Sequence, residues 1–259
     1  MYLLLRIKDK PTTSSNMEHI KNRNYLTDDL FLFDDKLYYE DETVKEVKKH
    51  NWHHLLKDYG WEKLNKQWIK KLNSYLEKQN NNSLYGCLDC GGGGDCLFHS
   101  ISYAMNQTTD KYDSNILREK ISESLTEEMY DEIIEVYKVI HSADDFEENW
   151  NPETMTFDIF KSTLLDGGDN FWGDFLILNV IKEYLEINII ILNSNEYSDE
   201  YFHYPLFYEY DDSLNTIIIL YENEIHFKLV GHFHGGKMNV LFTPHEVPVE
   251  ILKLINYLR

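Results

Sequence analysis

Gly91-Gly92-Gly93-Gly94-Asp95-Cys96-Leu97-Phe98-His99-Ser100 decides the reading of this chain. Leu97, Phe98, Ile101, Ala104 and Met105 recur at helical spacing after the glycines, which predicts a helix over 96–105 with Cys96 at its start. Unpaired amides and the helix dipole at such a start favour thiolate over thiol, and so favour a nucleophile at neutral pH. Glycines let the backbone turn its N–H groups toward one point beside the sulfur, where an acyl-transfer oxyanion needs donors. A phosphate-binding loop would carry Lys-Ser/Thr after the glycines. Asp95-Cys96 stands there instead, and a carboxylate repels phosphate. Far downstream, Ile225-His226-Phe227 opens an alternating strand and offers His226 as a general base.

The 259 residues carry a net charge of -20, unevenly spread. Residues 1–85 hold 15 Lys and Arg against 13 Asp and Glu, and residues 86–259 hold 10 against 32. An acidic field of that strength disfavours a nucleic-acid partner and would attract a basic protein segment. No apolar run is long enough for a membrane span, and the apolar residues near the start are too few for a secretory signal. Cys87, Cys90 and Cys96 are the three cysteines, an odd and clustered set that suits a reducing, cytoplasmic setting rather than a disulfide framework. Cys87-Leu88-Asp89-Cys90 has the spacing of half a metal site. Completing it would require His232 and His234, so no metal and no cofactor is expected.

The glycine-cysteine stretch resembles the cysteine box of the ovarian tumour (OTU) proteases, which reads Asp-Gly-Asn/Asp-Cys-Leu/Phe-Phe-Arg/His-Ser/Ala. Trp172-Gly173-Asp174 ahead of a helix, the apolar segments 187–192 and 217–221, and His226-Phe227 follow in that family's order, so the resemblance covers about 84–233. It implies a papain-like α+β fold with a small sheet packed between helices. It also implies cleavage of ubiquitin or ubiquitin-like conjugates, with Cys96 as nucleophile and His226 as base. Gly93, Gly94 and Asp95 would form the active-site loop, with the Gly93, Gly94 and Cys96 amides as oxyanion donors, and Trp172 would line the substrate cleft. The particular variant of the box is similar to that of large-DNA-virus members, which would place the protein in a host cytoplasm or a virion.

Two departures concern the residue that orients the histidine. Gly93 stands where the family has Asp, and Lys228 stands where it has Asp or Asn; a lysine cannot accept the imidazole N–H. Asp89, Asn239 or a backbone carbonyl are the substitutes, or the chemistry runs on a Cys-His dyad. Two other readings stay open: a catalytically degraded module that binds ubiquitin, and a structural or virion-associated protein whose partner docks on 1–83.

The shift in charge and the polar stretch at 79–83 place a boundary there, giving an N-terminal extension of 1–83 and a catalytic domain of 84–259. In the extension, 12–24 reads as loop and 30–39 as a hairpin turning at Asp34-Asp35. Residues 41–49 and 62–78 read as helices, the second with a Leu64, Trp68, Leu72, Leu76 stripe that packs on the catalytic domain. Beyond the boundary, helices are expected over 96–105, 115–141 (interrupted by a capping box at Ser124–Glu127), 156–165, 174–186 and 248–258. Strands are expected at 187–192, 216–221 and 225–233, with a long acidic connection at 193–215 and with His232, His234 and His245 facing solvent.

Overall fold

Asp34 and Asp35 take left-handed backbone angles (φ 48° and 59°), and that tight turn closes the expected hairpin of β2 (Leu30–Phe33) and β3 (Lys36–Glu40). In this computed structural model the described residues are 23–76, 84–107, 112–144, 146, 149–194, 205–207 and 209–256. Residues 12–22 of the loop expected at 12–24, the polar linker at 79–83 and residues 195–204 and 208 of the acidic connection lie outside them, and Asn24, expected in that loop, is in a strand. β1 (Asn24–Tyr25) and β4 (Val44–Glu46) complete the small sheet, in the order β1-β2-β3-β4. The helix expected over 41–49 is therefore strand and turn. Its Lys and Glu residues favour a helix only weakly, and antiparallel pairing of β4 with β3 overrides them.

The chain then forms α1 (Trp52–Leu55), β5 (Trp61–Lys63) and α2 (Lys66–Ser74); β5 and α2 stand where a single helix over 62–78 was expected. Asn65 caps α2 by accepting from the Trp68 amide at 2.9 Å, and so fixes where the helix begins. Next come β6 (Tyr85–Leu88), α3 (Cys96–Met105), α4 (Ser114–Ser124), α5 (Glu127–Ser142), α6 (Phe157–Asp166) and α7 (Phe175–Leu185). Thr126, not Ser124, restarts the helical run by capping α5 through the Met129 amide at 3.2 Å. The remaining elements are β7 (Ile187–Ser194), β8 (Pro205–Phe207), β9 (Asn215–Glu222), β10 (His226–His234), β11 (Lys237–Asn239), β12 (Leu241–Phe242) and α8 (Val249–Asn256).

The larger sheet runs β5-β6-β10-β9-β7-β8, antiparallel except for the parallel β7/β9 pair. Two buried clusters cover its faces. One gathers Cys96, Leu97, Phe98, Ile101, Phe227 and Leu229 under α3. The other gathers Leu64, Trp68 and Leu72 with Ile190, Leu192 and Ile255. This is the expected α+β arrangement, a sheet packed between helices. Because a cluster covers each face of the sheet, β10 is buried on both sides from Leu229 to Phe233. His232 is thus buried beside Tyr85 and not solvent-facing as expected, and burial pulls its pKa down to about 4. His234 and His245 are exposed as expected. Among the described residues no helix is long and apolar enough to cross a membrane.

The sheet does not stop at the expected boundary. β5 pairs with β6 (Trp61 opposite Leu88), and Trp52 and Trp61 lie on the paired glycines Gly86 and Gly231. A Cβ at either glycine would come within 2.7 Å of a tryptophan ring atom. The Trp68 indole donates to the Asn193 carbonyl at 3.1 Å. At about 1.5–3 kcal/mol for each large buried side chain, Trp52, Trp61, Leu64, Trp68 and Leu72 together match the whole net stability of a typical domain. Residues 84–259 expressed alone are therefore expected to be insoluble or to melt far below the full chain in a circular-dichroism scan. A soluble fragment with an unchanged melting temperature would show that the N-terminal packing is dispensable.

Candidate active site

Cys96 is the first residue of α3, and its sulfur accepts a hydrogen bond from the Phe227 amide at 3.5 Å. The preceding Asp95 sits at the N-cap but makes no side-chain cap there. The helix start is left to its own amides and dipole.

His226, the first residue of β10, is half-buried and within hydrogen-bonding reach of the Cys96 sulfur. That contact raises the imidazole pKa above the ordinary 6.5; burial works against it, and the Asp89 carboxylate adds to the rise. Asp89 Oδ1 lies 3.2 Å from His226 Nε2, off the line of an N–H donor, so the contact is an ion pair and not an aligned hydrogen bond. Of the two side chains named as substitutes to orient the histidine, the fold brings Asp89 beside it and leaves Asn239 away. Asn239 lies on β11 opposite His232, where its amide donates to the carbonyls of His234 (2.9 Å) and His232 (3.4 Å).

The glycine loop is shaped by close approach. Gly94 has φ 85°, and a Cβ on it would fall 2.0 Å from the Gly168 carbonyl oxygen and 2.9 Å from Trp172. Trp172 is 44% exposed beside this loop, where a substrate-cleft residue is expected. Asp174 caps α7 by accepting from the Leu176 (2.9 Å) and Ile177 (3.1 Å) amides, and the Tyr137 hydroxyl donates to it at 2.8 Å. Asp95 turns its carboxylate to a residue that the sequence reading passed over, the buried Arg118 of α4, at 2.8 Å from Nε and 2.5 Å from Nη2. The available signal was position. Ser114, Leu117, Arg118, Ile121, Ser122 and Leu125 lie on one helical face, which makes Arg118 a core-facing charge in need of a partner.

Cys87 and Cys90 do not form a pair. The Cys87 thiol donates toward Glu62 Oε1 at 3.7 Å in one cluster, whereas Cys90 packs on the other and donates to the Leu88 carbonyl at 3.7 Å. Burial pushes both thiols up to about 12. Lys228, where an acceptor was expected, is held at 2.9 Å by both Glu62 and Glu222. Burial lowers its pKa, but the two carboxylates outweigh that and raise it, so the ammonium is neutralised in place.

Residues 91–233 match the family model described as OTU-like cysteine protease. The chain belongs to the OTU family. Among solved structures, an ovarian tumour (OTU) domain in complex with ubiquitin is similar at 16% identity and TM-score 0.43, over 67% of this chain and 84% of that one. An OTU deubiquitinase from Wolbachia pipientis wMel bound to ubiquitin is similar at 16% identity and TM-score 0.42, over 57% and 96%. The Hazara virus OTU bound to ubiquitin is similar at 14% identity and TM-score 0.37, over 58% and 82%. No curated protein matches the chain.

In this OTU domain, the thiols separate by environment. Iodoacetamide at neutral pH is expected to alkylate Cys96 well before Cys87 or Cys90, as read by peptide mapping over time. Faster modification of either neighbour would contradict the site as described.

Proposed function

We propose that the protein hydrolyses the bond after the C-terminal glycine of ubiquitin or a ubiquitin-like modifier. The observation that carries this reading is the Cys96 sulfur at a helix start, met by the His226 imidazole and the Phe227 amide in a member of the OTU-like cysteine proteases. The Cys96 thiolate attacks the glycine carbonyl, and the carbonyl π electrons move to oxygen. The imidazolium of His226 then gives its proton to the departing lysine amine as the C–N bond breaks. Water attacks the resulting thioester, His226 takes the water proton, and the thiolate leaves. The ubiquitin tail carries arginines before its Gly-Gly end, which suits the acidic residues of 86–259. The reaction as written uses no metal or cofactor.

One observation favours the degraded-module reading. His226 Nε2 lacks an aligned acceptor, and a loosely held imidazole costs rate. Turnover separates the two readings. The full-length protein is expected to release coumarin from a ubiquitin C-terminal coumarin amide. Cys96→Ala should abolish release while ubiquitin binding persists, and His226→Ala should lower it by about 10²–10⁴-fold. Binding without turnover in the native protein would favour the degraded module, and neither binding nor turnover a structural role.

The pH profile tests Asp89. The imidazolium is lost as pH rises through its raised pKa, so the alkaline limb of kcat/KM should lie above the ordinary 6.5. Asp89→Asn removes a charge that favours the imidazolium and should move that limb to lower pH. An unmoved limb would exclude Asp89 as the orienting group.

A further inference from the structure

Arg118 is 1% exposed, and its guanidinium gathers backbone from three separate segments. Nη1 donates to the Leu164 carbonyl of α6 at 2.9 Å, and Nη2 to the Phe171 carbonyl at 3.0 Å and the Gly94 carbonyl at 3.4 Å. Nε and Nη2 both reach Asp95 Oδ1, which also accepts from the Gly168 amide at 3.3 Å. The guanidinium carbon lies over the Phe98 ring, 3.8 Å from its centre, in the first turn of the helix that Cys96 starts. A Cβ on Gly167 would come within 3.0 Å of Nε, so the opposing loop closes directly on the cation.

Two peptide planes next to the nucleophile are fixed, one by Arg118 and one by the first hydrogen bond of the helix. In a trans peptide the N–H points opposite to the C=O. The Gly94 carbonyl turns inward to Arg118, so the Asp95 N–H faces away from the buried cation. The Asp95 carbonyl accepts from the His99 amide at 2.8 Å, so the Cys96 N–H points back out of the helix start. An N-cap aspartate ordinarily turns its carboxylate onto the first amides of its helix. Arg118 draws that carboxylate aside, and no side chain caps α3.

We propose that Arg118 is a positioning residue for acyl transfer: by holding the Gly94 carbonyl and the Asp95 carboxylate, it aims the Asp95 and Cys96 amides at the oxyanion of the tetrahedral intermediate. This inference rests on the thiol-hydrolase reading and deepens it, naming Asp95 where the sequence pointed to Gly93 and Gly94. A planar fork of five donors can serve the carboxylate and three carbonyls at once, and a lysine cannot.

The test compares two reactions of Cys96 in the full-length protein and in Arg118→Lys. Alkylation by iodoacetamide is a displacement that forms no oxyanion, whereas cleavage of a ubiquitin C-terminal coumarin amide passes through one. Arg118→Lys is expected to lower kcat by about 10²–10³-fold, the usual worth of an oxyanion donor, with KM and alkylation rate close to native. Parallel loss of both reactions, or native kcat in a folded variant, would overturn the proposal. Should circular dichroism show Arg118→Lys unfolded, Asp95→Ala carries the same test, because it removes the acceptor that Arg118 holds while Arg118 keeps its carbonyl partners; it should show the same split to a smaller degree, and a native kcat there overturns the proposal. A native protein that alkylates at Cys96 but never turns over would instead mark failure of the hydrolase reading itself.

Discussion

The hydrogen bond from the Phe227 amide to the Cys96 sulfur joins two points 131 residues apart in the chain, and the site depends on it. It exists because α3 lies along β10, with Leu97, Phe98 and Ile101 buried against Phe227 and Leu229. A helix start and a strand start are thereby brought together, one bearing the thiol and the other the imidazole. The antiparallel partners of β10, β6 and β9, hold the strand in register, so His226 inherits its position from the sheet. Asp89 follows directly after β6, which places its carboxylate next to the same histidine.

Electrostatic constraints act around this junction at two levels. Close in, Asp89 and the sulfur favour a protonated His226. One layer out, Lys228 would repel that imidazolium if left unpaired, and Glu62 and Glu222 neutralise it. Glu62 belongs to β5, so the N-terminal segment contributes to the electrostatics of β10 as well as to its packing. Where Lys228 stands in place of the family's acceptor, the carboxylate that lies beside His226 is that of Asp89, just after β6, and the lysine itself is paired.

Much of this was legible before any coordinates. The glycine run, the apolar period after Cys96 and the Asp34-Asp35 turn are local signals, and their elements formed where the pattern put them. What the sequence could not convey was pairing over distance. Trp61-Glu62-Lys63 is too short to alternate and becomes a strand only because β6 offers its edge. Val44-Lys45-Glu46 has helix-tolerant residues that β3 recruits. The boundary at 83 followed a change in charge, whereas the core follows Trp52, Trp61 and Trp68 across it. Arg118 read as one charge among many on a helix. Its burial follows from Asp95, 23 residues earlier, and from carbonyls contributed by two later segments.

The central claim is that Cys96 is the nucleophile toward a ubiquitin-like C-terminus, and it can be read in one measurement. The full-length protein is incubated with ubiquitin carrying an electrophile in place of its terminal carboxylate, and the product is weighed intact and mapped by peptide mass. The account predicts a single adduct, attached to Cys96. No adduct on the native protein, or attachment to Cys87 or Cys90, would contradict it.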